Sequence, residues 1–312
     1  MLPVVAVLQG FWLIAAVVAV GWLLAHLGLF GRTEQQMLAK LTFWVGSPAL
    51  LFLVVADADV GVIFSGFLVA TVAGVVVTAA AYLVLARVVL RRTSTHALMG
   101  GMSVSYVNSN NLGLPIAIYV LGDGSWSAPV ILMQLLVLQP AWLAALDASQ
   151  QGGRVSLRRV LRSPVTNPLT IGSGLGLLVA LTGVQLPADL RAPVELVGGL
   201  AIPGMLLAFG ISLRLSPVPR GRGNLAELGL VVLLKLGLMP AVAWLVAGPV
   251  LGLPGPAVLA AVVMSALPTA QNVFILAVAY GRGEDIARDS VLVTTVLAMP
   301  AMLLVVALMG GG

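Results

Sequence analysis

Long apolar runs, separated by short polar or glycine-rich connections, set the pattern of this chain. Ten runs, at residues 3–29, 34–56, 61–90, 95–121, 126–148, 165–184, 193–214, 225–248, 255–281 and 286–309, approach or exceed the roughly 20 apolar residues that a helix needs to cross a bilayer. The expected fold class is therefore an all-α polytopic membrane protein with ten spans. The longest polar connection, Gln150 to Pro164, is too short for a soluble domain, so no separate enzyme domain is expected outside the membrane. The opening stretch, Met1 to Ala19, has no charged leader and is followed by further spans; it reads as a first span and not as a cleaved signal peptide.

Composition strengthens this reading. Charged residues are 9% and hydrophobic residues 60% of 312, against about a quarter charged in a soluble domain. The absence of cysteine excludes disulfides and thiolate metal sites, and the two histidines, His26 and His96, have no metal-ligand spacing. No metal, cofactor or nucleic acid is expected, because the basic residues fall in short connections on one side of a membrane. Those after odd-numbered spans hold Arg32, Lys40, Arg87, Arg91, Arg92, Arg154, Arg158, Arg159, Arg162, Arg214, Arg220, Arg222, Arg282 and Arg288, fourteen of the 16 Lys and Arg. Those after even-numbered spans hold Arg191, beside Asp57, Asp59, Asp123, Asp189 and Glu195. The positive-inside rule then places the odd connections in the cytoplasm and both termini outside, in the periplasm of a bacterial inner membrane.

The chain also resembles itself. Asn111, Tyr119, Gly122 and Asp123 meet Asn272, Tyr280, Gly283 and Glu284 at an offset of 161 residues. Gly21, Gly28 and Pro48 meet Gly176, Gly183 and Pro203 at an offset of 155. This predicts two inverted five-span repeats, residues 1–149 and 165–312, joined by a cytoplasmic connection at 150–164. Chance alignment among 35 glycines and 18 prolines is the alternative.

The fourth and ninth spans carry the candidate chemistry. Span four contains Ser105, Asn108, Ser109, Asn110 and Asn111, then Gly113 and Pro115; span nine contains Ser265, Pro268, Thr269, Gln271 and Asn272. A helix breaker among amides in mid-membrane frees backbone groups that protein or water must satisfy, so such a break belongs inside the bundle beside a cavity. Each break also creates a half-helix N-terminus with partial positive charge, and two of these with amide donors suit a carboxylate. A proline that merely kinks a packing helix is the plainer reading.

At this point a resemblance emerges. Asn108 to Pro115 is similar to the span-four motif of the auxin efflux carrier family, which includes the PIN auxin exporters and bacterial malate and malonate permeases. Leu267-Pro268-Thr269-Ala270 resembles its span-nine motif, Asn167-Pro168 with Gly172 and Gly176 the opening of span six, and Ser47-Pro48 and Lys235 with Pro240 spans two and eight. The resemblance implies a fold shared with bile acid:sodium symporters. In that fold a scaffold of spans 1, 2, 6 and 7 and a transport body of spans 3–5 and 8–10 hinge around crossed spans four and nine. It also implies a small organic-anion substrate, an elevator-like movement and a homodimer. By the family pattern, Asn108, Asn111, Gly113, Pro115, Asn167, Pro268, Thr269 and Asn272 form the substrate site.

Other residues carry paired readings. Asn167 reaches the cavity or caps a helix at the cytoplasmic surface. Lys235 is a fixed cation replacing a coupling ion, a scaffold tie, or a snorkelling side chain. His96 reads as a surface residue and Asp147 as interfacial. With no acidic residue placed in mid-span, sodium or no coupling ion is favoured over a proton, and sodium would be held around Ser105, Asn110 and Gln271. Gly172/Gly176 and Gly204/Ala208 read as packing stripes within the chain in preference to a dimer face. Two functions follow: a carrier of small carboxylates, auxin-like or dicarboxylate, or a sodium-coupled symporter of larger amphipathic anions. An intramembrane enzyme lacks the nucleophile, paired carboxylates or metal ligands it would need.

Overall fold

The computed structural model describes residues 4–58, 61, 65–150, 165–215 and 225–309. The 150–164 connection, apart from Gln150, lies outside them, as do Arg154, Arg158, Arg159, Arg162, Arg220 and Arg222, so the charge pattern there has no structural counterpart.

Among the described residues the chain is helical, and its one β pairing is a single bridge. The helices are α1 (Val4–His26), α2 (Arg32–Ala56), α3 (Gly66–Val88), α4 (Ser94–Ser105), α5 (Leu114–Tyr119), α6 (Gly124–Ser149), α7 (Pro168–Thr182), α8 (Ala188–Leu215), α9 (Leu225–Val250), α10 (Gly255–Ser265), α11 (Gln271–Tyr280) and α12 (Glu284–Met309). Seven of them, α1, α2, α3, α6, α8, α9 and α12, are long and apolar enough to cross a membrane. Large apolar side chains stay exposed along them, among them Trp12, Val76 and Leu304. Water would penalise that surface, whereas lipid does not.

Small residues set how closely the helices approach. A Cβ on Gly21 of α1 would strike the Leu207 carbonyl of α8, and one on Gly210 of α8 would strike the Val18 carbonyl of α1. Gly172 and Gly176 of α7 stand in the same way against the Pro48 and Phe52 carbonyls of α2, and Gly204 of α8 faces the Thr42 hydroxyl of α2. The stripes read from sequence are thus filled by α2 of the same chain. Helices α1, α2, α7 and α8 pack on one another; α3 packs on α4, α9 and α10, and α12 on α4, α9, α10 and α11.

Two pairings tie opposite ends of α8 to its neighbours. Arg191 clamps Asp57 with two hydrogen bonds of 2.9 and 2.6 Å, while Arg214 donates to His26 Nδ1 at 3.3 Å. The expected start of the seventh span at residue 193 falls within α8. The chain turns at Gly199 and Leu200, and the preceding turns, Ala188–Gly198, are amphipathic and carry Asp189, Arg191 and Glu195.

Candidate functional site

The site is built where two helices fail. In the fourth run α4 stops at Ser105, and Tyr106 turns extended (φ −93°, ψ 102°). Helical winding resumes at Ser109 as a π turn leading into α5. Asn108 makes the restart possible. Its side-chain Oδ1 accepts the Asn111 N–H at 3.3 Å, and its carbonyl accepts the Leu112 and Gly113 N–H groups at 3.2 and 2.9 Å. Pro115 falls in the first turn of α5, and its fixed φ suits a helix start. In the ninth run α10 stops at Ser265 and α11 starts at Gln271, with Pro268 between them unable to donate a helical hydrogen bond.

Each break satisfies the other. Val107 and Thr269 form an antiparallel bridge, with the Asn108 N–H donating to the Pro268 carbonyl at 2.8 Å and the Ala270 N–H to the Tyr106 carbonyl at 3.0 Å. Because the bridge is antiparallel, the helices that follow leave it in opposite directions. Neighbours satisfy what remains. Gln134 of α6 accepts from the Val107 N–H at 2.8 Å and donates to Ser109 Oγ at 2.5 Å. Thr294 Oγ1 of α12 accepts from the Thr269 N–H at 3.0 Å. Buried backbone groups need such partners, since each orphan costs about as much as a lost hydrogen bond.

A cavity of about 790 Å³ opens onto this junction. Its inner wall holds Asn108, Asn110, Asn111, Gln134, Gln271 and Asn272, and its outer wall holds Arg32, Lys40 and Arg288; among the described residues no Asp or Glu lines it. Gln271 and Asn272 form the first turn of α11, whose N–H groups have no intrahelical acceptor. One donor stands out. With Oδ1 of Asn108 occupied by the Asn111 N–H, its Nδ2 is buried and has no partner. The Asn272 amide, the first turn of α11 and the cations Arg32 and Lys40 make a wall that favours an anion, while the third cation, Arg288, is paired with Asp289 at 2.8 Å and Asp285 at 3.4 Å.

The residues read from sequence divide by this geometry. Asn108, Asn111, Asn272, Asn110 and Gln271 line the cavity. Asn167 caps α7 by accepting the Leu169 N–H at 2.9 Å; it does not line the main cavity but a separate pocket of about 200 Å³ with Asn272, Tyr106 and Phe43. Thr269 points elsewhere: it is fully buried, and its hydroxyl donates to the Ser103 carbonyl at 2.7 Å. Pro268 contributes its carbonyl to the pairing, and Pro115 is buried within α5. Gly113 gives room, since a Cβ there would lie 2.8 Å from a Leu267 methyl. Ser105 is buried and donates to the Gly101 carbonyl at 2.8 Å, away from Asn110 and Gln271 at the cavity.

Lys235 lies outside the cavity wall and is completely buried, which rules out snorkelling. His96 and Asp147 both have hydrogen-bond partners. His96 lies 3.0 Å from Glu227, a carboxylate that is buried at the start of α9 and also takes Tyr82 at 2.6 Å and Arg92 at 2.6 Å. Asp147 is buried and accepts from the Tyr280 hydroxyl at 2.6 Å. Buried carboxylates therefore exist, although Asp147, Glu227 and Asp289 all sit within two turns of a helix end. The sequence reading missed Gln134, whose signal was an amide within the apolar run of α6, and Arg288, whose place in the wall depends on how α12 is rotated.

Comparison with known proteins agrees with this geometry. The family model described as membrane transport protein matches residues 7–306. A relative from Rhizobium meliloti (strain 1021), described as "Putative malonate transporter", is 28% identical over 290 residues, covering 89% of this chain and 88% of the relative. The family is one of transporters and not of enzymes. With its interrupted helices paired at the end of a cavity and the match running almost end to end, the chain belongs to the membrane transport protein family, that of the auxin efflux carriers.

Proposed function

We propose that this protein is a secondary transporter that moves small organic anions, dicarboxylates such as malonate among them, by alternating access around the paired breaks. The observation that carries the reading is the cavity ending at the paired breaks, where Asn108, Asn111, Gln271 and Asn272 line it and where, among the described residues, no Asp or Glu does. Asn272 with the first turn of α11 would hold a carboxylate oxygen, and a shift of the Asn108 side chain toward the cavity would let its unpartnered Nδ2 donate to a second. The relative's description as a malonate transporter supports this substrate class.

In the same reading the chain crosses the membrane ten times. The three spans beyond the seven long helices would be the two interrupted ones, α4 with α5 and α10 with α11, and the 15-residue α7. Two inverted repeats gain support from paired glycines with left-handed backbone: Gly28 with Gly183 (φ 72° and 66°), and Gly122 with Gly283 (φ 77° and 66°). Helices α1, α2, α7 and α8 would form the scaffold and the others the body that moves, elevator-like, against it, as a homodimer by family analogy. The cavity faces Arg32, Lys40 and Arg288, so in a bacterial inner membrane with both termini outside this is the inward-open state.

The test is counterflow in proteoliposomes with a panel of mono- and dicarboxylates that includes malonate, and a bile acid for the larger-anion alternative. Wild type is compared with Asn108→Ala and Asn272→Ala. Transport of a carboxylate that both substitutions abolish supports the proposal; transport indifferent to both removes the site.

A further inference from the structure

Lys235 is fully buried in α9, and no carboxylate lies within ion-pair distance of it among the described residues. Its Nζ instead reaches the Ser265 carbonyl at 3.4 Å and Met239 Sδ at 3.1 Å. Ser265 is the last residue of α10, where the ninth span is interrupted. A helix ends in carbonyls without intrahelical donors and carries about half a negative charge there. In the interior of a membrane no water screens that charge. The other interrupted helix meets the need with neutral groups: near the end of α4 the Ser103 carbonyl takes the Thr269 hydroxyl and the Tyr106 carbonyl takes the Ala270 N–H. The end of α10 has Lys235.

The surroundings of the ammonium are rich in oxygen. Besides its carbonyl, Ser265 carries a hydroxyl whose Oγ is buried without a hydrogen-bond partner, as is that of Thr78 on the facing α3. Gly74, one turn before Thr78 on α3, packs directly over this spot, since a Cβ on it would lie 3.1 Å from the Met239 carbonyl and 3.8 Å from Ser265 Oγ.

We infer that Lys235 is a tethered counter-cation for the carboxyl end of the interrupted helix α10, holding the position that a bound monovalent cation would otherwise take. The native protein then needs no soluble cation there, and removing the side chain opens a cation site at the Ser265 carbonyl and hydroxyl. Lys235 is a positioning residue: it acts on the transported anion only through the break it stabilises. The inference does not depend on which anion is carried.

The experiment compares melting of wild type and Lys235→Ala, purified in detergent, in choline, sodium and methylammonium chloride at equal ionic strength. Wild type is expected to melt at one temperature in all three salts. Lys235→Ala is expected to melt lower in choline and to recover by several degrees in sodium or methylammonium. A variant indifferent to the salt, or a wild type that sodium stabilises over choline, overturns the inference. If Lys235→Ala does not fold, Lys235→Met fills the volume without the charge; counterflow reduced at least tenfold in Lys235→Met but kept in Lys235→Arg supports the assignment, and equal transport in Lys235→Met and wild type overturns it. Wild type that carries no carboxylate would sink the transport proposal alone, and the salt-dependent melting would still decide the role of Lys235.

Discussion

The Asn108 N–H donates to the Pro268 carbonyl at 2.8 Å, joining residues 160 positions apart at the point where both helices are interrupted. Neither break would be stable alone in hydrocarbon, where an unsatisfied backbone group costs several kcal/mol. Paired, they leave side-chain amides and helix starts aimed at a cavity that, among the described residues, no Asp or Glu lines.

The two central amides should separate in their effects. Asn272 is exposed to the cavity and makes no structural hydrogen bond, so Asn272→Ala should weaken carboxylate binding about ten- to a hundredfold, the worth of one charge-assisted hydrogen bond of about 1.5–3 kcal/mol, without moving the melting temperature. Asn108 also caps the restart of its helix, so Asn108→Ala should lose binding and in addition about 1 kcal/mol of stability. Isothermal titration and thermal melting on the same samples check both.

Gln134 should be a stability residue that looks like a site residue. Gln134→Leu would leave the buried Val107 N–H and Ser109 hydroxyl without partners, a cost of about 1–3 kcal/mol per group. The expected result is a clear fall in melting temperature, with transport per folded molecule lowered by distortion of the break. Unchanged melting would contradict the role assigned to it.

Cations at the outer wall should act through long-range attraction. Arg32→Glu with Lys40→Glu should raise the KM for a dianion several-fold at low salt, with the difference shrinking as ionic strength rises and the Debye length falls toward about 3 Å near 1 M. Uptake measured against salt concentration tests this. A difference insensitive to salt would point to direct contact with the anion.

Glu227 gathers Tyr82, Arg92 and His96 from α3, α4 and the turn between them. Glu227→Gln keeps the shape but removes the charge that pairs Arg92, and about 1–3 kcal/mol of stability should go with it. His96→Ala should cost less, because its side chain is partly exposed. Urea-dependent unfolding in detergent ranks the two variants.

Asp57, beyond the end of α2, has its carboxyl held below the usual range by the hydrogen-bonded Arg191 guanidinium. A lowered native value means the pair stabilises the fold above the ordinary carboxylate range near 3.9 and ceases to do so as pH falls through the lowered value. Both partners are about a third or more exposed, so the contribution should stay below about 1 kcal/mol. Wild type and Asp57→Asn should therefore differ slightly in melting temperature at pH 6 and converge below pH 4.

Much of this was legible along the chain because its causes are local. Uninterrupted apolar runs exclude a water-soluble core whatever their neighbours, and clustered Asn, Gly and Pro near Asn108 and Pro268 interrupt a helix by their own backbone chemistry. The resemblance to the auxin efflux carriers rested on those same clusters, and the match over residues 7–306 bears it out.

Where each side chain points was decided only by tertiary structure. Thr269 and Asn272 are three residues apart, yet one turns inward to the Ser103 carbonyl and the other faces the cavity. Past a break, a side chain's direction follows the segment that supplies the missing hydrogen bonds, and here that segment is more than 150 residues away in the chain. The same holds for Lys235, whose place at the end of α10 depends on how α9 and α10 pack, and for Glu227, whose three partners come from another part of the sequence. Local composition determines that a helix must fail; the segments packed against it determine what the failure exposes.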